Sequence, residues 1–126
     1  MGQNKVILSL GSNRDRETNI RSAGYWLRAC FATVSFSDVV YTKSIGYPED
    51  DIFLNQVAVA YTDKQPETIQ NSLKEIEIRL GRTKEGKVQG NIPIDIDLLQ
   101  WNEQVLKPDD LKREYIRSLL QELDGK

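Results

Sequence analysis

Apolar and polar positions alternate along the chain in two rhythms, and the changes of rhythm mark the elements. KVILSL, residues 5–10, is a short apolar run that stops at Gly11-Ser12-Asn13, a turn and helix-cap signal. From there to Phe31, Ile20, Ala23, Leu27 and Phe31 recur at helical spacing, leaving Arg14, Asp15, Arg16, Glu17 and Arg28 for the wet face. FATVSFSDVVYT, residues 31–42, is rich in β-branched and aromatic side chains and predicts one strand. SIGYPEDD, residues 44–51, has Gly46, Pro48 and three acids and predicts a loop. FLNQVAVAYT, residues 53–62, predicts the next strand, with Phe53, Asn55, Val57 and Val59 on a common face. Pro66 suits a first helical turn, and Ile69, Leu73, Ile76 and Leu80 form a stripe that ends at Gly81. Residues 82–91 predict a polar, Gly-containing loop and residues 92–100 a last strand. Leu111, Tyr115, Leu119 and Leu123 repeat every four residues and predict a helix over 109–123.

The order is βαββαβ plus a terminal helix, the plan of an α+β, ferredoxin-like sandwich with an antiparallel sheet and a C-terminal helix. No linker, repeat or low-complexity stretch divides residues 1–126, which therefore predict a single domain able to bury a core without staples. In that plan two helices cover one sheet face and the other is open. Within IPIDIDLL, residues 92–99, Ile94, Ile96 and Leu98 then share the helix side and Asp95 and Asp97 the open side or its rim. The two carboxylates would stand roughly 6.5–7 Å apart along the strand, close enough for one metal ion or a pair. Asp is depleted in strands and crowded like charges destabilise, which favours a functional site over the plain alternative of a half-solvated acidic strand.

Composition narrows the chemistry. With 39% apolar and 29% charged residues the chain is ordinary globular material, and its net charge of −2 argues against nucleic acid as a partner. The lone Cys30 cannot close an internal disulfide. The absence of histidine excludes Ser-His-Asp or Cys-His nucleophile systems and any His-ligated metal. No apolar run approaches a membrane span and no signal-peptide pattern opens the chain, so no membrane partner and a cytoplasmic location are expected.

GRTKEGKV, residues 81–88, fits G-x-x-x-x-G-K but has Val88 where a magnesium-ligating hydroxyl belongs, and it follows a helix instead of a strand. It is not a Walker motif. Arg82, Lys84 and Lys87 can still meet a polyphosphate, although from charge alone a solvated basic loop is the favoured reading. Lys74 and Glu77 lie at i, i+3 beside the buried stripe, the spacing of a surface ion pair. Phe53 and Asn55 share a face at i, i+2; an aromatic there is usually core, but a ring beside an amide also grips a flat heterocycle.

Together LGSN (10–13), YTKSIG (41–46), FLNQVAV (53–59), EIEIRLGR (75–82) and PIDIDLL (93–99) with the following WNEQVL make the chain resemble the 6-hydroxymethyl-7,8-dihydropterin pyrophosphokinases. The resemblance runs from about Lys5 to about Leu111 and is most specific in the last motif. It implies the same βαββαβ core and transfer of pyrophosphate from ATP to a pterin alcohol in folate biosynthesis, with AMP leaving. It implies that Asp95 and Asp97 hold two Mg2+ ions bound with ATP and that Asp97 accepts the alcohol's proton. It places Arg82 among the catalytic residues, Thr42, Ile45, Phe53 and Asn55 around the pterin, and Lys74, Glu77, Lys84 and Leu98 on the ATP side. Where the family closes a loop over ATP with further arginines and a tryptophan, this chain has Lys84, Gln89 and Ile92. Where the family has a Pro-His segment, another arginine and a further strand, LKPDDLKREYIRSLLQELDGK runs straight towards a helix, with Lys112, Arg113 or Arg117 as substitute charge. The expectation is a short, C-terminally truncated member, monomeric or weakly dimeric, with a non-catalytic binding or protein-interaction relative as the alternative.

Overall fold

The computed structural model describes residues 3–43 and 51–125. β1 (Asn4–Ser12) is followed by α1 (Arg16–Cys30), β2 (Thr33–Phe36), β3 (Val40–Lys43), β4 (Ile52–Thr62), α2 (Pro66–Arg79), α3 (Lys84–Val88), β5 (Asp95–Trp101), β6 (Gln104–Val105), α4 (Pro108–Leu111) and α5 (Glu114–Asp124). The strands form one antiparallel sheet in the order β2-β4-β1-β5-β6, with β3 also paired to β4. With β2 and β3 taken as one interrupted strand, this is the ferredoxin-like order expected from the sequence. Among the described residues no helix is long and apolar enough to cross a membrane.

α1 and α2 bury Ile20, Ala23, Leu27, Ile69, Leu73 and Ile76 against Val6, Leu8, Leu10, Leu54, Ala58, Ile94, Ile96 and Leu98 of the sheet. Strand alternation selects those sheet residues and sends Ser9, Gly11, Phe53, Asn55, Val57, Asp95 and Asp97 to the opposite face. A bulge between Ile7 and Leu8 pairing shifts the register of β5, so that Leu98 and Trp101 join the helix-side core while Leu99 turns to the second face.

Five expectations are corrected. The strand predicted over 31–42 is two strands, because Ser37 leaves the ladder to bond Val57, its N–H donating to the Val57 carbonyl and its Oγ accepting the Val57 N–H, both at 3.0 Å. The loop predicted over 82–91 contains α3, capped by Thr83 Oγ1, which accepts the Gly86 N–H at 2.9 Å. The last core strand begins at Asp95 rather than at residue 92. The helix predicted over 109–123 breaks at Arg113, whose backbone is extended; its apolar period of four runs unchanged across the break and so does not reveal it. Most consequentially, the second sheet face is not fully open. Ile116 and Leu119 of α5 pack on Val57 and Leu99, with Ile7, Val40 and Tyr115 around them. The loop at residues 44–50 lies outside the described residues.

Asn13 also departs from its expected capping role. Asp15 is the N-cap of α1, and Asn13 instead ties the segment before β5 to the end of β1. Its Nδ2 donates to the Gly90 carbonyl at 2.6 Å and to Asp51 at 2.7 Å, and its Oδ1 accepts the Ile92 N–H at 2.8 Å.

Candidate active site

The site is laid out by the register of the three central strands. Gly11 on β1 pairs with Asn55 on one side and Asp95 on the other, and Ser9 pairs with Val57 and Asp97. Asn55 and Asp95 therefore stand two strand spacings apart, about 10 Å, with no side chain between them. A Cβ at position 11 would lie 3.3 Å from Asn55 Oδ1 and 3.5 Å from the Phe53 ring. The cavity of about 470 Å³ over this row is lined by Ser9, Gly11, Thr42, Phe53, Asn55, Arg82, Ile92, Asp95 and Asp97 on the sheet side. Asp110, Arg113, Glu114, Tyr115 and Ile116, where α4 passes into α5, form its other wall.

One end is acidic. Asp95 accepts from Arg82 Nη1 at 2.6 Å, and the same nitrogen donates to Glu77 at 3.1 Å and to the Ile94 carbonyl at 3.3 Å. The sequence places Arg82 there through the end of α2. Gly81, at φ 102°, lets its own N–H reach the Ile78 carbonyl and the Arg82 N–H reach that of Glu77, a Schellman reversal that returns Arg82 beside Glu77. Glu77 also accepts the Ile96 N–H at 2.8 Å, closing an edge donor of β5. Burial pushes the Glu77 carboxyl above its usual range, against the Ile96 hydrogen bond and Arg82.

Asp97 Oδ1 accepts from Lys107 Nζ at 3.2 Å. Burial, then the charge of Asp95 and a hydrogen bond with it, lift the Asp97 carboxyl to about 6, although Lys107 pulls the other way. The two carboxyl groups stand two residues apart on the same face of β5 and line the same cavity. Among the described residues no cluster of three or more His, Cys, Asp or Glu could hold a metal ion. Two neighbouring carboxylates on one strand face still suit Mg2+, which is commonly held by one or two carboxylates with substrate phosphates and water completing its shell.

The other end is an amide and a ring. Asn55 is 6% exposed, and its Nδ2 donates to Thr42 Oγ1 at 2.7 Å and to the carbonyls of Phe53 and Val40 at 3.2 and 3.3 Å. Those bonds fix the amide plane and leave Oδ1 beside Gly11.

The structure thus brings Asp95, Asp97, Arg82, Thr42, Phe53 and Asn55 to one cavity. It does not bring Lys74, Lys84, Glu77 or Leu98 to its lining. Lys74 and Lys84 are exposed on α2 and α3, Glu77 stands behind Arg82 and pairs with it in place of Lys74, and the Leu98 side chain is 2% exposed in the helix-side core. Alternation turns the Leu98 side chain away from the cavity, so any part it has on the ATP side falls to its main chain. Ile45 lies outside the described residues. The sequence reading missed Ser9, Lys107, Asp110 and Tyr115. Only Lys107 had a local signal: Asn102, at φ 53°, turns the chain back after β5 and returns a lysine towards the strand it left.

Fold and site define an α+β domain whose cavity on the second sheet face has an acidic pair at one end and an amide with an aromatic ring at the other. Residues 7–125 match the model of the 7,8-dihydro-6-hydroxymethylpterin-pyrophosphokinase family, and the chain belongs to that family. The 2-amino-4-hydroxy-6-hydroxymethyldihydropteridine pyrophosphokinase of Bacillus subtilis is 32% identical over 111 residues, 86% of this chain and 66% of the relative. The protein of the same name from Aquifex aeolicus is 34% identical over 108 residues, 85% of this chain and 67% of the relative. The Dictyostelium discoideum folic acid synthesis protein FOL1 is 33% identical over 114 residues, 88% of this chain and 17% of the relative. The chain therefore spans about two thirds of the length of these bacterial relatives.

Proposed function

We propose that this chain transfers pyrophosphate from ATP to 6-hydroxymethyl-7,8-dihydropterin with Mg2+, giving the pterin diphosphate and AMP, as a soluble enzyme of the cytoplasm. The observation that carries the reading is the placement of Asp95–Asp97 and of Phe53–Asn55–Thr42 at two ends of one cavity, with only Gly11 between. The names of the relatives support the pterin as acceptor and pyrophosphate as the group transferred.

In this reading Phe53 stacks on the pterin and Asn55, its amide plane already fixed by Thr42, hydrogen-bonds the ring edge. The hydroxymethyl group then extends across Gly11 towards Asp97. Its oxygen bonds to the β-phosphorus, the bond from that phosphorus to the α,β-bridging oxygen breaks, and AMP leaves. Asp95 and Asp97 would hold a divalent ion, which would supply charge neutralisation for the triphosphate. Asp97, at the end of the cavity that the hydroxymethyl group reaches, is the carboxylate placed to accept the proton of the alcohol. Arg82 presents a guanidinium held by Glu77 and Asp95 to the β- and γ-phosphate charge, and positioning with electrostatics carries such transfers without a covalent nucleophile. No histidine is needed.

A second reading has an observation in its favour: Asp95 and Asp97 each already hold a cationic side chain, as they would in a relative that binds pterin or nucleotide without turnover. One assay separates the two. AMP release from ATP, with Mg2+ and hydroxymethyl-dihydropterin present, is expected of the enzyme and is absent in the binder. Asp95→Asn and Asp97→Asn are each expected to lower turnover at least about a hundredfold with the far-UV circular dichroism unchanged. Substantial turnover in both variants would sink the pyrophosphokinase reading.

A further inference from the structure

The two cations at the acidic pair are not equivalent. Arg82 is a fixture: one nitrogen is shared among Glu77, Asp95 and the Ile94 carbonyl, and its side chain is only 18% exposed. Lys107 is held differently. Its main chain is pinned on both sides, because the Leu106 and Lys107 N–H groups donate to the Leu99 carbonyl at 2.9 and 3.2 Å and its own carbonyl accepts the Leu111 N–H at 3.2 Å. Its side chain is 47% exposed and its ammonium donates to Asp97. Asp110, on the next turn of chain, also attracts the ammonium. Lys107 is thus a cation on a fixed stem with a flexible reach, able to sit on Asp97 or to leave it.

We propose that Lys107 is a built-in competitor for the divalent cation, its ammonium having to leave Asp97 before an ion is held there. This inference rests on the pyrophosphokinase reading of the site. Its physical basis is charge. Asp95, Asp97 and Glu77 stand against Arg82 and Lys107, which leaves a single net negative charge at the pair. Removing Lys107 doubles that charge and frees Asp97 Oδ1 as a ligand. An ammonium and a dication cannot share that oxygen without strong mutual repulsion at a few ångströms. Lys107 accordingly lowers affinity for the free ion and makes loading depend on a triphosphate that gives the displaced ammonium a new anion to meet.

Mn2+ binding to the full chain, followed by electron paramagnetic resonance without nucleotide at about pH 8 and so above the Asp97 titration, tests this directly. Lys107→Met is expected to bind Mn2+ roughly tenfold more tightly than the unaltered chain. Lys107→Arg, which keeps the charge, is expected to match the unaltered chain, and Asp97→Asn to lose binding. A Lys107→Met affinity equal to or weaker than that of the unaltered chain overturns the proposal, as does Lys107→Arg binding as tightly as Lys107→Met. If Asp97→Asn loses Mn2+ while Lys107→Met changes nothing, the competitor role alone falls and the metal-pair reading stands. If no form of the chain binds Mn2+ without nucleotide, the competitor role falls, and the metal-pair reading is then decided separately by the turnover of Asp95→Asn and Asp97→Asn with ATP. A purely structural role for Lys107 would instead lower the melting temperature of Lys107→Met and leave its Mn2+ affinity no tighter.

Discussion

At position 11 the middle strand carries no side chain, and the residues paired to it on either side, Asn55 and Asp95, are the polar ends of the site. Space, not backbone conformation, is what this glycine supplies. Gly11→Ala is expected to cost about 1–3 kcal/mol of stability through overpacking while weakening pterin binding about tenfold or more, since the new methyl presses on Asn55 Oδ1 and the Phe53 ring. A fluorescence titration with the pterin beside a urea unfolding curve checks both, and unchanged pterin affinity would remove Gly11 from the site. Asp97 allows a second test at the same scale. Its carboxyl titrates at about 6 in the fold against 3.8 for the free group, so between those values the folded chain keeps a proton that the unfolded chain has released. Stability must therefore fall as pH rises from about 4 to about 6 and level off above, by up to about 3 kcal/mol from this group. Asp97→Asn is expected to flatten that slope in urea unfolding at a series of pH values; a slope equal to that of the unaltered chain would mean that Asp97 does not cause it.

Among the elements, α5 has the largest share in turning an open sheet face into a cavity. Ile116 is 1% exposed against Val57 and Leu99, and the same helix start carries Tyr115 and Glu114 into the cavity wall. Ile116→Ala is expected to destabilise the chain by about 2–5 kcal/mol, whereas Arg117→Ala, on the exposed side of that helix, is expected to stay within about 0.5 kcal/mol. Equal effects in urea denaturation would show that α5 does not pack as described. The elements also differ in how far their sequences announce them. α1 and α2 were expected over 13–31 and 66–80 and span Arg16–Cys30 and Pro66–Arg79, because their stripes repeat over several turns and end at residues that suit an end. The break between β2 and β3 was illegible. Ser37 and Asp38 bond Val57 and Glu122, partners 20 and 84 residues away, and no local pattern encodes them.

For the molecule as a whole, the reading of the acidic pair predicts a ligand-linked stability. Mg2+ with ATP at about a hundred times its dissociation constant adds about 2.7 kcal/mol, a rise of several degrees in melting temperature for a chain of this size. Asp95→Asn is expected to lose that rise in differential scanning fluorimetry, and a full rise in that variant would place nucleotide binding elsewhere. What the residue order contained was the alternation and the helical stripes: which side chains face which side, the strand that bears Asp95 and Asp97, and the ring-amide pair Phe53 and Asn55. Those are consequences of backbone periodicity, which is local. The order of residues could not say that Asp95 and Asp97 line one cavity with Asn55 and Phe53, that α5 folds back over the second sheet face, or that Lys107 lies on Asp97 while Lys74, Lys84 and Leu98 point elsewhere. Each of these depends on register between distant strands and on one chain reversal, at Gly81 or Asn102, whose direction is settled only when both flanking elements are packed.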